Sequence, residues 1–207
     1  MSWQLIAGIL FKTSAFTRLS QVEESFMTET KNALGKFLIR KAVSSDAPIT
    51  AAINVNSWKS TYKGIVSQSF LNSLEIESRI DPAIKRIGRN DMDCLIAVDV
   101  DKKRVVGFAN YGPCREKNID ADAELYSIYI EDDYHGYGIG KSLFLKGFEA
   151  TKKRQYKKMM VSVFSQNNNA RVFYERMGGE LAGVDQVILE EVSYPTATYV
   201  WNLTVLF

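Results

Sequence analysis

Three glycines at alternate positions, Gly136, Gly138 and Gly140, sit inside the run IEDDYHGYGIGKSL of residues 130–143. An apolar, strand-like segment precedes them and a helix-like one follows. Glycine accepts a positive φ and lets backbone N–H groups approach a ligand closely. A helix that starts behind such a loop offers unpaired N–H donors and the positive end of its dipole. The chain is therefore constrained to a strand–loop–helix unit whose loop can cradle an anion, most naturally a phosphate. A tight turn would satisfy the same spacing.

Two phosphate loops fit poorly. The dinucleotide fingerprint Gly-x-Gly-x-x-Gly places its third glycine one residue later than Gly140, and an acidic residue further on. Residues 152–158 are basic instead. Gly140, Lys141 and Ser142 match the end of a Walker A loop, but the position of its first glycine is His135.

A second motif follows. Residues 165–179, SQNNNARVFYERMGG, begin as a polar loop, continue as a short helix and stop at Gly178 and Gly179. Together the two segments resemble the GCN5-related N-acetyltransferase (GNAT) superfamily. Its pyrophosphate loop, Arg/Gln-x-x-Gly-x-Gly/Ala, is matched by His135 to Gly140, with histidine at the usual Arg/Gln position. Its other motif, Asn-x-x-Ala-x-x-x-Tyr-Glu-Lys/Arg-x-Gly, is matched by Asn167, Ala170, Tyr174, Glu175, Arg176 and Gly178. The resemblance spans roughly residues 37 to 206.

It implies an α/β fold with a central, mostly antiparallel sheet, one parallel β-α-β crossover and flanking helices. It also implies acetyl transfer from acetyl-CoA to a primary amine, by direct attack in a ternary complex. Acetyl-CoA would be held by the backbone of Ile128, Tyr129 and Ile130, and by His135, Gly136, Tyr137, Gly138, Ile139, Gly140, Lys141 and Ser142. Asn167, Phe173 and Tyr174 would complete that site. Glu124 resembles the family's general base, with Asp122 as substitute, and Tyr174 its general acid. A backbone N–H within 128–130 would hold the developing oxyanion. Capping by Asn167 and core packing by Phe173 and Tyr174 would equally explain those residue types. Two rival functions remain: a non-catalytic acyl-CoA sensor, and a P-loop-like nucleotide binder.

The acceptor is the least legible part. Trp58 and Tyr62, four residues apart, share one helical face in the region that lines the family's acceptor side. They serve either as core or as an aromatic wall. Charge adds a hint. Residues 91–133 hold 11 acidic and 5 basic residues, whereas 141–158 hold 7 basic residues and Glu149. A basic stretch beside an anionic cofactor and an acidic one beside a cationic acceptor would suit a small cationic amine, a polyamine or a peptide amine.

Periodicity supplies the frame. It predicts a strand over Phe37–Ala42, a helix from Asp46 to about Ser60 and a second helix over Ser67–Glu77. A hairpin follows, Cys94–Val100 with Arg104–Tyr111, then a strand over Glu124–Ile130. A helix over Gly140–Lys157, a strand over Met159–Phe164, and strands over Val187–Glu191 and Thr198–Thr204 complete the domain at 37–207. Residues 1–36 form an N-terminal extension that reads as a transit peptide, an upstream extension ahead of Met27, or an extra helix. No stretch approaches the ~20 apolar residues of a membrane span. One histidine and the spacing of Cys94 and Cys114 match no metal site. Net charge is +2, which does not argue for nucleic acid. The expected protein is cytoplasmic, metal-free and, by resemblance, a homodimer.

Overall fold

The computed structural model describes residues 35–204. The extension expected over 1–36 therefore lies, up to residue 34, outside the described residues. The chain enters a sheet as β1 (Phe37–Lys41). A turn then leads into α1 (Ala47–Thr61), with Pro48 in its first turn, where a missing N–H is harmless. Asp46 holds that turn: its carboxylate accepts from Arg40 at 2.7 and 2.9 Å and from the Val43 N–H at 2.8 Å. Gly64, at φ +80°, follows the end of α1.

The helix expected over Ser67–Glu77 ends early, at Ser73, and a separate helix occupies the stretch towards Arg89 that the sequence left open. The Ser67 hydroxyl accepts from the Phe70 N–H and caps α2 (Gln68–Ser73). The buried Leu74 interrupts the run, and α3 (Glu77–Ile87) starts afresh. The hairpin appears as expected, as β2 (Asp93–Asp99) and β3 (Arg104–Pro113). Then come β4 (Ala123–Ile130), α4 (Ile139–Lys153), β5 (Lys158–Phe164) and α5 (Asn168–Arg176). The last hairpin, β6 (Glu180–Leu189) with β7 (Val192–Asn202), is longer than periodicity suggests. It turns at Glu190 and Glu191, both at positive φ.

These strands make one seven-stranded sheet in the order β1-β2-β3-β4-β5-β7-β6. Only β4 and β5 are parallel, joined through α4. The central strands are buried on both faces, so neighbours alternate between two cores. Leu95 and Ala97 of β2 face the core that includes Leu143, Phe144 and Phe148 of α4. Ile96 faces Ile53 of α1 and Phe108 of β3. Each buried leucine, isoleucine or phenylalanine among them contributes about 1.5–3 kcal/mol.

One close approach sets the seat of α4. A Cβ built on Gly147 would lie 2.0 Å from a ring carbon of Tyr111. Tyr111 is buried, and its hydroxyl donates to the Leu143 carbonyl at 3.2 Å. Gly147→Ala gains helix propensity of roughly 1 kcal/mol. The ring cannot yield without moving α4, so overpacking of about 2–3 kcal/mol should prevail. A lower thermal midpoint is expected; an unchanged or raised one would mean that Tyr111 repacks freely.

Candidate active site

The defining feature is a split inside the sheet. β4 and β5 pair only at Ala123–Met159 and Glu124–Met160, then diverge. Beyond Glu124, β4 stays bonded to β3 while β5 stays bonded to β7. Tyr126 is the extra residue of a bulge in β4, between Leu125 and Ser127. Such a bulge sharpens local twist and bends the strand. The base of the split is pinned by Asp122, whose carboxylate accepts from the Lys157 and Lys158 N–H groups at 2.8–3.1 Å.

At the other end of β4 lies the glycine loop. Gly136 and Gly138 have φ +82° and +77°, and Gly138 immediately precedes α4. The N–H groups of residues 136–141 donate to no described residue; the first paired one is Ser142, bonded to the Gly138 carbonyl at 3.0 Å. Together with the α4 dipole these donors form an anion site without help from a side chain. A Cβ on Gly140 would stand 3.3 Å from Ile130 Cδ1 and 3.7 Å from Phe173, so glycine keeps the loop close to β4 and α5. His135 does not point into the cradle: its Nε2 lies 3.1 Å from the Ile130 carbonyl. The Ser142 hydroxyl likewise donates to the Gly138 carbonyl. Tyr137 is exposed beneath the Lys36 ammonium, and Ile139 is buried in the core. An open recess of about 410 Å³ continues from the loop between Lys141 and the Asn168, Phe173 and Arg176 side of α5.

The side chains of β4 alternate around the split. Ile128 and Ile130 pack towards α4, whereas Tyr129 packs towards α1. The Tyr129 phenol is enclosed with Tyr62 and Trp58, and burial, then the neighbouring Tyr62, push it well above the usual tyrosine range. Tyr174 is 5% exposed and rests against Tyr199 and Trp201. Burial first, then Tyr62, raises its phenol, and its hydroxyl bonds to no described residue. Asn167 caps α5, its Oδ1 accepting from the Ala170 N–H at 3.1 Å, while Tyr62 interacts with the same side chain.

Neither candidate base is unengaged. Asp122 is taken up by the two backbone donors already described. Glu124 is buried and accepts at Oε2 from the Arg115 N–H at 3.1 Å and from its Nε at 2.9 Å. Its Oε1 accepts from Arg115 Nη2. Oε1 retains a lone pair for one further donor.

Trp58 and Tyr62 meet edge to face at 4.7 Å. With Phe70, Phe164 and Tyr194 they belong to an aromatic cluster under α2. Trp58 also forms part of the wall of a cavity of about 290 Å³ between α1, α3 and strands β2–β4, whereas Tyr62 packs behind it. The expectation of acidic surroundings is not met there. The lining contains Arg79, Arg86 and Arg115 and no carboxylate. The acidic stretch is engaged elsewhere: Asp93 with Lys41 and Arg154, Glu131 with Arg104, Asp120 with Lys158. Sequence reading missed the arginines because they come from a helix and a distant loop. Cys94, on the same wall, is buried and its thiol is pushed up to about 11, a poor nucleophile at neutral pH.

A sheet opened by a parallel split, with a donor-rich loop at the mouth, is the architecture of an acyl-CoA-dependent N-acyltransferase. Residues 58–179 match the acetyltransferase (GNAT) family, and the chain belongs to that family. It is 33% identical over 147 residues to the uncharacterized N-acetyltransferase YuaI of Bacillus subtilis, covering 71% of this chain and 82% of that protein. It is 27% identical over 150 residues to spermidine N(1)-acetyltransferase of Thermoplasma acidophilum, covering 71% and 90%. The crystal structure of PaiA N-acetyltransferase from Thermoplasma acidophilum, in complex with coenzyme A, shares the fold. Its TM-score is 0.62 at 24% identity, over 78% of this chain and 97% of that one. Among the described residues no helix is long and apolar enough to cross a membrane.

Proposed function

We propose that this chain transfers an acetyl group from acetyl-CoA to a primary amine that attacks directly. The observation that carries this reading is the set of N–H groups at residues 136–141 that donate to no described residue, standing at the mouth of the β4–β5 split. The cofactor fits: the loop offers donors to a pyrophosphate, Lys141 and Arg176 flank the recess beyond it, and the free edge of β4 offers backbone partners to an extended chain. When bound, acetyl-CoA supplies a thioester whose acyl carbon accepts the amine and whose thiol leaves.

The protein's own groups handle charge and protons. Backbone N–H donors on the unpaired edge of residues 125–130 are available to an oxyanion. Tyr174 holds a proton at Oη for the departing sulfur. Glu124 works in this reading through a water at Oε1, the oxygen with a lone pair to spare. Trp58 and Tyr129 wall the acceptor side. Spermidine acetylation by a relative supports an amine acceptor in general.

The test is calorimetric titration with acetyl-CoA, with Mg-ATP as control, followed by thiol release over a panel of amines. Acetyl-CoA binding with amine-dependent thiol release is expected. Binding without turnover would leave an acyl-CoA sensor, and binding of Mg-ATP alone would overturn the reading.

A further inference from the structure

The 290 Å³ cavity between α1 and α3 is cationic where the sequence suggested the opposite. Its three arginines differ in their needs. Arg115 is neutralised by Glu124 and lies over the Tyr126 ring at 4.1 Å. The guanidinium groups of Arg79 and Arg86 have no ion-pair or hydrogen-bond partner among the described residues, whereas their backbones are bonded within and beside the helix. Arg86 is half-buried, and burial, together with the positive charges of Arg115 and Arg79, pulls its guanidinium below the usual arginine range. A half-buried cation with the unpaired guanidinium of the exposed Arg79 nearby is unfavourable unless an anion joins it. A guanidinium presents a planar fork that matches a carboxylate with two parallel hydrogen bonds.

The remainder of the wall suits a small molecule. Trp58, Phe108 and Tyr129 supply apolar surface, and Asn110 is bonded to Ser127 at 2.8 Å. Tyr129 belongs to β4, the strand that borders the split, so the cavity adjoins the place where the proposed acetyl transfer occurs. The volume is at the lower end of small-molecule sites.

We propose that the acceptor is a small primary amine that also carries a carboxylate, seated on Arg86 and Arg79, with its amine turned towards Tyr129 and the split. This rests on the acetyltransferase reading above. A polyamine is disfavoured by the same field, because it would bring several positive charges against unpaired guanidinium groups.

The experiment measures thiol release, at saturating acetyl-CoA, for free amino acids with varied side chains, for their carboxamide counterparts, and for spermidine. The amide is the sharper control: its amine is less basic, so more of it is unprotonated at neutral pH. Reactivity alone would then favour the amide. At least one acid should exceed its amide in kcat/KM by about tenfold or more, with spermidine a poor substrate. In the full chain, Arg86→Gln should raise KM for that acid about 10- to 100-fold, far more than it lowers kcat, while acetyl-CoA affinity by calorimetry holds. Arg86→Lys should fall between. If Arg86→Gln does not fold, the acid-against-amide comparison in the wild type decides alone. Preference for amides or spermidine, or no acetylation of any acid, with acetyl-CoA bound, overturns the carboxylate and leaves acetyl transfer standing. Failure to bind acetyl-CoA overturns both.

Discussion

Gly138→Val is expected to weaken acetyl-CoA binding by at least about a hundredfold, to the point where a calorimetric titration shows no saturation. Gly138 has φ +77°, a region that a β-branched residue occupies only under strain. A Cβ at this position meets nothing within 4 Å, so the substitution disturbs no packed neighbour. What changes is the loop's shape, and with it the alignment of the N–H groups of residues 136–141. The variant should therefore remain folded, melting only a few degrees below the wild type from the strain at this φ, and fail chiefly at the cofactor. Wild-type affinity in a folded Gly138→Val protein would remove the cradle from the proposed mechanism.

Tyr174→Phe should lower kcat by about 10²- to 10³-fold while acetyl-CoA affinity changes little. The substitution is unusually clean. The hydroxyl bonds to no described residue, so its loss orphans no partner, and phenylalanine keeps the ring against Tyr199 and Trp201. The pH dependence follows from the direction of the shift. Tyr174 donates only when protonated, so its contribution is present below its folded pKa and lost as pH rises through it. Burial raises that pKa above the ordinary tyrosine value of about 10. The kcat profile should accordingly show no descending limb from this group up to about pH 10. Equal rates in variant and wild type would withdraw the acid role.

Local chemistry was legible in the sequence; convergence was not. The glycine loop and the Asn167–Gly178 segment each occupy a continuous stretch, and their backbone roles follow from residue type. The hairpin of β2 and β3 was readable because its turn, Asp101 to Lys103, is polar and its strands are apolar. β6 was only half seen, because it is an outer strand: Leu181, Val184 and Ile188 are exposed, so no buried face imposes alternation. Pro195 and Gly183 further obscured the hairpin. The break between α2 and α3 turns on the burial of Leu74, a tertiary fact. The occupancy of Glu124 and Asp122 was hidden for the same reason, since their partners, Arg115 and the start of β5, are brought to them by folding. The three arginines of the cavity are the strongest case: charge counted along residues 91–133 pointed to acidic surroundings, and folding places none of those carboxylates on the cavity wall.

The split between β4 and β5 also bears on how safely such a protein exists before it meets its ligand. Unpaired strand backbone is an invitation to self-association, because any passing extended chain can complete the ladder. Here the open backbone lies in the interior of the sheet, between β3 and β7, and not at its rim. A foreign strand would have to enter a wedge that Asp122 holds shut at one end and that tyrosines and tryptophan crowd on one face. A slender pantetheine-like chain meets no such obstacle. The split can thus keep backbone groups in reserve for one thin partner while remaining closed to a broad one, which leaves the outer strands β1 and β6 as the edges open to strand addition.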